Sequence, residues 1–163
     1  MNERKTSNNS DGNILILGIG NVLMGDEGIG ALVAQYLLNK KIPDGINCVD
    51  GGTGGFHLLE YLQNASKVYL IDATNDGKPV GTISHITPRF SSDYPKTLTA
   101  HDIGLKDLID SFYLLGKVPD IKLYAVSIDP PGEPTMELSG IVKEKIPYIA
   151  KMVLDDAIAG LAG

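Results

Sequence analysis

The sequence predicts an α/β domain: a three-layer sandwich with a twisted, mostly parallel five-stranded sheet between helices. Three observations lead there. Apolar runs of strand length alternate along the chain with stretches of helical spacing, the pattern of parallel strands joined by crossover helices. The run "ILILG" has no polar position at all, as a strand covered on both faces should. Loops rich in glycine and proline, "DGGTGG", "ATNDGKPVG" and "DPPGEPTM", separate the periodic segments.

Each element follows from its local pattern. Ile14 to Leu17 begin the first strand, which runs into Gly18 and Gly20. From Gly28 onward, Ile29, Leu32, Val33, Tyr36 and Leu37 fall on one face of a helix. Pro43 to Gly45 is a turn, "INCVD" the second strand ending at Asp50, and "FHLLEYLQNA" a short helix. "KVYLID" is the third strand, read as closing at Asp72, and "TISHI" reads as an edge strand. "TPRFSSDYPKTLTAHD" is a long irregular connection, of the kind that is often functional in a compact domain. Leu105, Leu108, Ile109 and Phe112 mark the next helix, and "IKLYAVSI" the last strand. A long helix follows Ser139, with Val142, Ile146, Ile149 and Val153 on one side and a kink expected at Pro147. Right-handed crossovers put the first strand between the second and third. The loops after the first and third strands then part at a topological switch point, where open α/β sheets bind ligands.

The 163 residues, 43% of them hydrophobic, suffice for one core and not for two ordinary ones. Residues 13–163 are therefore read as a single domain, and the polar residues 1–12, "MNERKTSNNSDG", as a disordered lead-in. A net charge of -6 excludes a global basic footprint for nucleic acid and fits a basic or metal-bearing partner. No segment approaches the ~18 apolar residues of a membrane span, and the first apolar run is too short for a signal peptide. A cytoplasmic protein is expected. Cys48, the sole cysteine, excludes an intrachain disulfide and reads as a small buried thiol.

The glycine turn after the first strand imitates a nucleotide loop and departs from it in chemistry. A dinucleotide fingerprint needs a third glycine where Leu23 stands, and a phosphate loop needs Gly-Lys-Ser/Thr where Gly25 meets Asp26 and Glu27. Two carboxylates at a helix N-terminus repel phosphate. They read either as capping acids that complement the helix dipole or as a metal or catalytic carboxylate at the crevice. Asp72 and His101 tip the reading toward the second. Carboxylates and an imidazole converging from three loops suit a borderline divalent cation such as nickel, zinc or manganese and leave coordination positions open. Asp26 is expected to cap the helix and Glu27 to face the crevice. His57 and His85 read as structural or surface histidines. The chain lacks H-E-x-x-H and G-x-S-x-G, and Cys48 lies in a strand, which disfavours a cysteine nucleophile.

These residues are similar to those of a known family. "GNVLMGDEGIG", Gly20 to Gly30, satisfies throughout the G-N-x-L-x-x-D-E/D-G-x-G pattern of the hydrogenase maturation endopeptidases. Asp72 in "LIDATNDGKPVGTI" and His101 in "AHDIGLKDL" match the family's second and third elements, and "DGGTGG" its second loop. The resemblance runs from about Asn13 to the final helix and implies a phosphorylase/hydrolase-like fold and an endopeptidase that recognises nickel already installed in a nickel–iron hydrogenase large-subunit precursor, then removes its C-terminal extension. Glu27, Asp72 and His101 carry over as metal ligands and catalytic residues. The nickel is substrate-borne, and zinc or another divalent cation can take the same place in vitro. Asp50, Gly51, Gly52 and Thr53 would lie along the scissile peptide, glycines there allowing close backbone approach. Metal-polarised water and a carboxylate base both remain open as routes to cleavage. The alternatives are a same-fold endopeptidase of the spore germination protease type, which needs no nickel, and a nickel-binding maturation chaperone that leaves the peptide intact.

Overall fold

The computed structural model describes residues 13–89, 91–98, 105–116 and 118–161. The polar lead-in, residues 1–12, and His101 lie outside them. Five strands form one sheet in the order β2-β1-β3-β5-β4. They are β1 (Ile14–Gly18), β2 (Ile46–Asp50), β3 (Lys67–Thr74), β4 (Ile83–Ile86) and β5 (Asp120–Ser127). The first four positions in that order pair in parallel, and β4 closes the edge antiparallel to β5. The expected placement of β1 between β2 and β3, and of "TISHI" at an edge, is what the chain adopts.

Period-two alternation along the central strands feeds two separate cores. Ile14, Ile16, Ile71 and Val126 face α1 (Ile29–Leu38) and α4 (Gly140–Leu161), meeting Val33, Leu37, Ile149 and Val153. Leu15, Leu17, Leu70 and Leu123 face α2 (Leu59–Gln63) and α3 (Leu105–Leu115), meeting Leu62, Ile109 and Phe112. Each of these aliphatic side chains contributes about 1.5–3 kcal/mol by leaving water. The helices on both faces make the three-layer architecture that the alternating pattern predicts.

One local reading changes. Strand β3 does not close at Asp72. It runs on to Thr74 because β5 continues beside it, through Asp72↔Ala125 to Thr74↔Ser127. The pairing with β1 stops earlier, at Gly18↔Ile71. Asp72 therefore lies inside a strand, one residue beyond the point where β1 departs. Helix α4 runs unbroken past Pro147, although that proline has no N–H to donate to the carbonyl of Lys143.

An ionic clasp joins α4 to the sheet. Asp156 accepts hydrogen bonds from Lys122 Nζ at 2.9 Å and from the Tyr124 hydroxyl. Burial raises the Asp156 pKa, but these two donors outweigh it and hold the carboxyl below its usual range. Burial, and then the bond to Asp156, push the Tyr124 phenol up.

Candidate functional site

The site forms where β1 leaves the sheet. Gly18 O accepts from Gly51 N at 2.8 Å on the β2 side, and Ile19 N donates to Ile71 O at 3.0 Å on the β3 side. One residue later Gly20 N donates to Gly52 O at 2.7 Å, tying the first loop to the second. The glycines of the opening motif serve this convergence. A Cβ on Gly30 would stand 2.2 Å from Ile19 O and 2.3 Å from Ile71 O, and one on Gly20 would stand 2.2 Å from Glu27 O. Their absence lets α1 start against the strand carbonyls and folds the loop back over the end of β1.

That fold-back sets Glu27. It lies in a 3-10 turn, Gly25–Gly28, that packs against β3. Its residue is only 7% exposed, and its carboxylate makes no hydrogen bond or ion pair to any described residue. It lines a cleft of about 300 Å³ together with Asp26, Ile128 and the chain that leads into α4. Glu27 therefore presents its carboxylate to the cleft rather than to the core.

Asp26 does not cap its own helix. Neither the 3-10 turn nor α1 has a side-chain cap. Asp26 Oδ1 instead accepts the backbone N–H of Ser139 at 2.8 Å, at the entry to α4. The acid satisfies an exposed donor at a helix start, as capping logic requires, but the helix belongs to the other end of the chain.

Asp72 is fully buried, and its Oδ1 accepts from Ala73 N at 2.8 Å. Strand alternation points it to the α2/α3 side of the sheet, two residues from Leu70 and from Thr74. The sequence reading missed the polar neighbours there. Thr74 Oγ1 bonds Thr97 Oγ1 at 2.7 Å, and the buried Ser127 hydroxyl lies in register beside Thr74. The long connection comes down on this spot: Leu98 forms an antiparallel bridge with Thr74, and Asn75 N donates to Thr97 O at 3.1 Å. Leu98 is three residues before His101, which is outside the described residues. The cleft that Glu27 lines does not include Asp72. Among the described residues no three His, Cys, Asp or Glu side chains converge as a metal site.

The second loop is built mainly by its own residues. Asp50 Oδ1 accepts from Gly52 N at 2.9 Å and Oδ2 from Gln35 Nε2 at 2.9 Å, so both oxygens are engaged. Gly52 and Gly54 have φ of 55° and 90°, with open space around each; they supply a backbone shape, while Thr53 is exposed and Gly51 buried. His57 is exposed, and so is His85, which meets the Tyr124 ring edge-on at 5.1 Å. Cys48 is half-buried with its thiol toward Ala34 O at 3.6 Å. Burial, with the nearby Asp50 charge, pushes its pKa up to about 11, so it is a neutral thiol at neutral pH and a poor nucleophile.

A mostly parallel sheet between helices, with Glu27 beside the switch point, defines an α/β protein whose site lies at the strand ends, and comparison with known proteins narrows it. The family model described as "Hydrogenase maturation protease" matches residues 31–156, and the chain belongs to that family. The matched span begins directly after the "GNVLMGDEGIG" motif. The chain is 31% identical to the Hydrogenase 2 maturation protease of Escherichia coli over 86% of this chain and 88% of that one. It is 34% identical to the hydrogenase expression/formation protein HupD of Bradyrhizobium diazoefficiens over 69% of this chain, a match that spans 60% of the longer relative. The fold superposes on the hydrogenase maturating endopeptidase HybD from E. coli with a TM-score of 0.75 and 29% identity, covering 88% of this chain and 91% of that one.

Proposed function

We propose that the chain is a cytoplasmic endopeptidase that removes the C-terminal extension of a nickel–iron hydrogenase large-subunit precursor once nickel is in place. The observation that carries this reading is Glu27, buried to 7% exposure and without a partner among the described residues, at the switch point of a fold whose family is hydrogenase maturation protease. Glu27, Asp72 and His101 engage the substrate-borne nickel. Two carboxylates and an imidazole fit a borderline divalent ion and leave room for its other ligands. The open part of the "DGGTGG" loop, exposed Thr53 with half-buried Gly52, lies along the scissile peptide. Both routes to an attacking water pass through Glu27, as ligand in one and as general base in the other.

The test is processing of the precursor, followed by intact-mass measurement of its C-terminus. Glu27→Gln, Asp72→Asn and His101→Ala should each leave the precursor at full length, and nickel-free precursor should stay uncut by the unaltered chain. Normal processing by all three variants would remove the site assignment. Efficient cleavage of nickel-free precursor would remove the nickel requirement.

A further inference from the structure

The end of the sheet away from Glu27 carries an edge that the fold leaves open. Alternate residues of β5 face its two neighbours. Asp120 N donates to Ser66 O and Ile128 N to Thr74 O, toward β3, whereas Ser127 N donates to Thr82 O, toward β4. The odd-numbered residues therefore turn both backbone groups to the β4 side. Strand β4 answers them as far as Ile86↔Leu123. The next partner in that register, opposite Ile121, is Pro88. A proline has no N–H to give to Ile121 O, and no backbone bond joins residues 87–89 to 120–122 among the described residues. The chain turns away instead, with Arg89 N donating to Asp93 Oδ2 at 2.9 Å.

Ile121 is only 5% exposed, so its N–H and C=O are largely shielded from bulk water while no described strand pairs with them on that side. Buried backbone groups are nearly always paired. The space beside them is a cavity of about 570 Å³, lined by Ile121, Pro88, Arg89 and Tyr113 among others, a volume in the range of small-ligand sites. Its charge is opposite to that of the chain. Lys67, Arg89 and Lys122 line it with one acid, Asp120, in a protein of net charge -6. Lys122 is committed to Asp156 at 2.9 Å and Lys67 Nζ to Gly160 O at 3.0 Å. The exposed Arg89 guanidinium bonds no described residue. The cavity thus sets a free cation beside an unpaired backbone donor and acceptor.

We propose that this notch binds the C-terminal carboxylate of an extended peptide. A terminal residue laid opposite Ile121, in the place that Pro88 fails to fill, donates its N–H to Ile121 O and accepts Ile121 N–H on one carboxylate oxygen. Arg89 answers the other oxygen. A bare inorganic anion has no donor for Ile121 O, and an apolar ligand leaves all three groups unmet. The site stands apart from the peptidase reading: β3, eight residues and roughly 25 Å long, has its first residues in this cavity and its last on the side of Glu27.

The test is an NMR titration of the full, isotope-labelled chain with the acetylated tripeptide Ala-Ala-Leu bearing a free C-terminus. Amide shifts should centre on Ile121 and Lys122 and should saturate. Arg89→Gln should weaken binding about tenfold or more without changing thermal unfolding, because the side chain is exposed and the backbone bond to Asp93 survives. Amidating the peptide's C-terminus should weaken binding by a similar factor, as should methylating the nitrogen of its last residue. Pro88→Ala supplies the missing donor, lets β4 reach Ile121 and should close the notch to the peptide. Glu27→Gln should leave the titration unchanged, so this site and the peptidase reading stand or fall separately. No saturable shift at Ile121, equal binding of the amidated peptide, or binding indifferent to Arg89→Gln overturns the proposal. So does a dimer of the peptide-free chain that Pro88→Ala abolishes, since the open edge would then belong to a second copy.

Discussion

At Gly30 the absence of a side chain decides whether the site can assemble. A methyl group there would press on two backbone carbonyls, Ile19 O and Ile71 O, neither able to move aside cheaply. Gly30→Ala should lower stability by about 1–3 kcal/mol as overpacking, measured by urea unfolding, and should lower processing with it. The opposite kind of residue is Cys48. With its pKa pushed up to about 11, its thiol should react slowly with a disulfide reagent at pH 7.5 and faster as pH rises toward that value. Rapid modification at neutral pH in the native state would contradict its half-buried, neutral description. Cys48→Ala should leave processing intact, because the side chain packs against the α1/α4 core and the Ala34 carbonyl and does not line the cleft.

At the scale of elements, β3 is the axis of the protein. It pairs with β1 as far as Ile71 and with β5 as far as Thr74, so removing its packing should damage fold and site together. Leu70→Ala, in the α2/α3 core, should cost about 2–5 kcal/mol by the lost transfer energy and the cavity left behind. Residues 129–139 and the first loop make a second unit. Asp26→Asn keeps an oxygen for Ser139 N and should retain the entry geometry of α4, whereas Asp26→Ala leaves that donor unanswered and should cost about 1 kcal/mol. Equal stability of the two variants, by thermal unfolding, would show that the bond contributes nothing.

For the whole molecule, pH enters through the clasp between sheet and α4. The folded pKa of Asp156 is depressed, so the native state binds fewer protons there than the unfolded chain. Its contribution is present above the ordinary carboxylate pKa and is lost as pH falls through the lower, folded value. The carboxylate is about a third exposed, which keeps the effect small. Asp156→Asn should thus destabilise the protein at pH 7, and by less as pH falls below the ordinary carboxylate range; a difference that grows toward low pH would reverse the sign. No described helix is long and apolar enough to cross a membrane.

The sequence by itself determined the strand–helix alternation, the place of β1 in the sheet, the edge position of β4 and the identity of the opening motif. These follow from period, turn residues and spacing, all of which act over a few neighbours. Glu27 could be singled out for the same reason: the pattern around it is local and departs from a phosphate loop at named positions. Tertiary structure alone decided where strands stop and what the acids meet. Asp72 looked like a strand end because the apolar run stops there, but the strand is prolonged by β5, whose pairing residues lie more than fifty positions away. Asp26 looked like the cap of the following helix, and its partner is the backbone of Ser139, 113 residues on. The cleft was illegible for the same physical reason: Glu133 and Glu137 are ordinary loop acids until residues 129–139, held by backbone bonds to Leu23 and Gly25, bring them to the cleft that Glu27 lines.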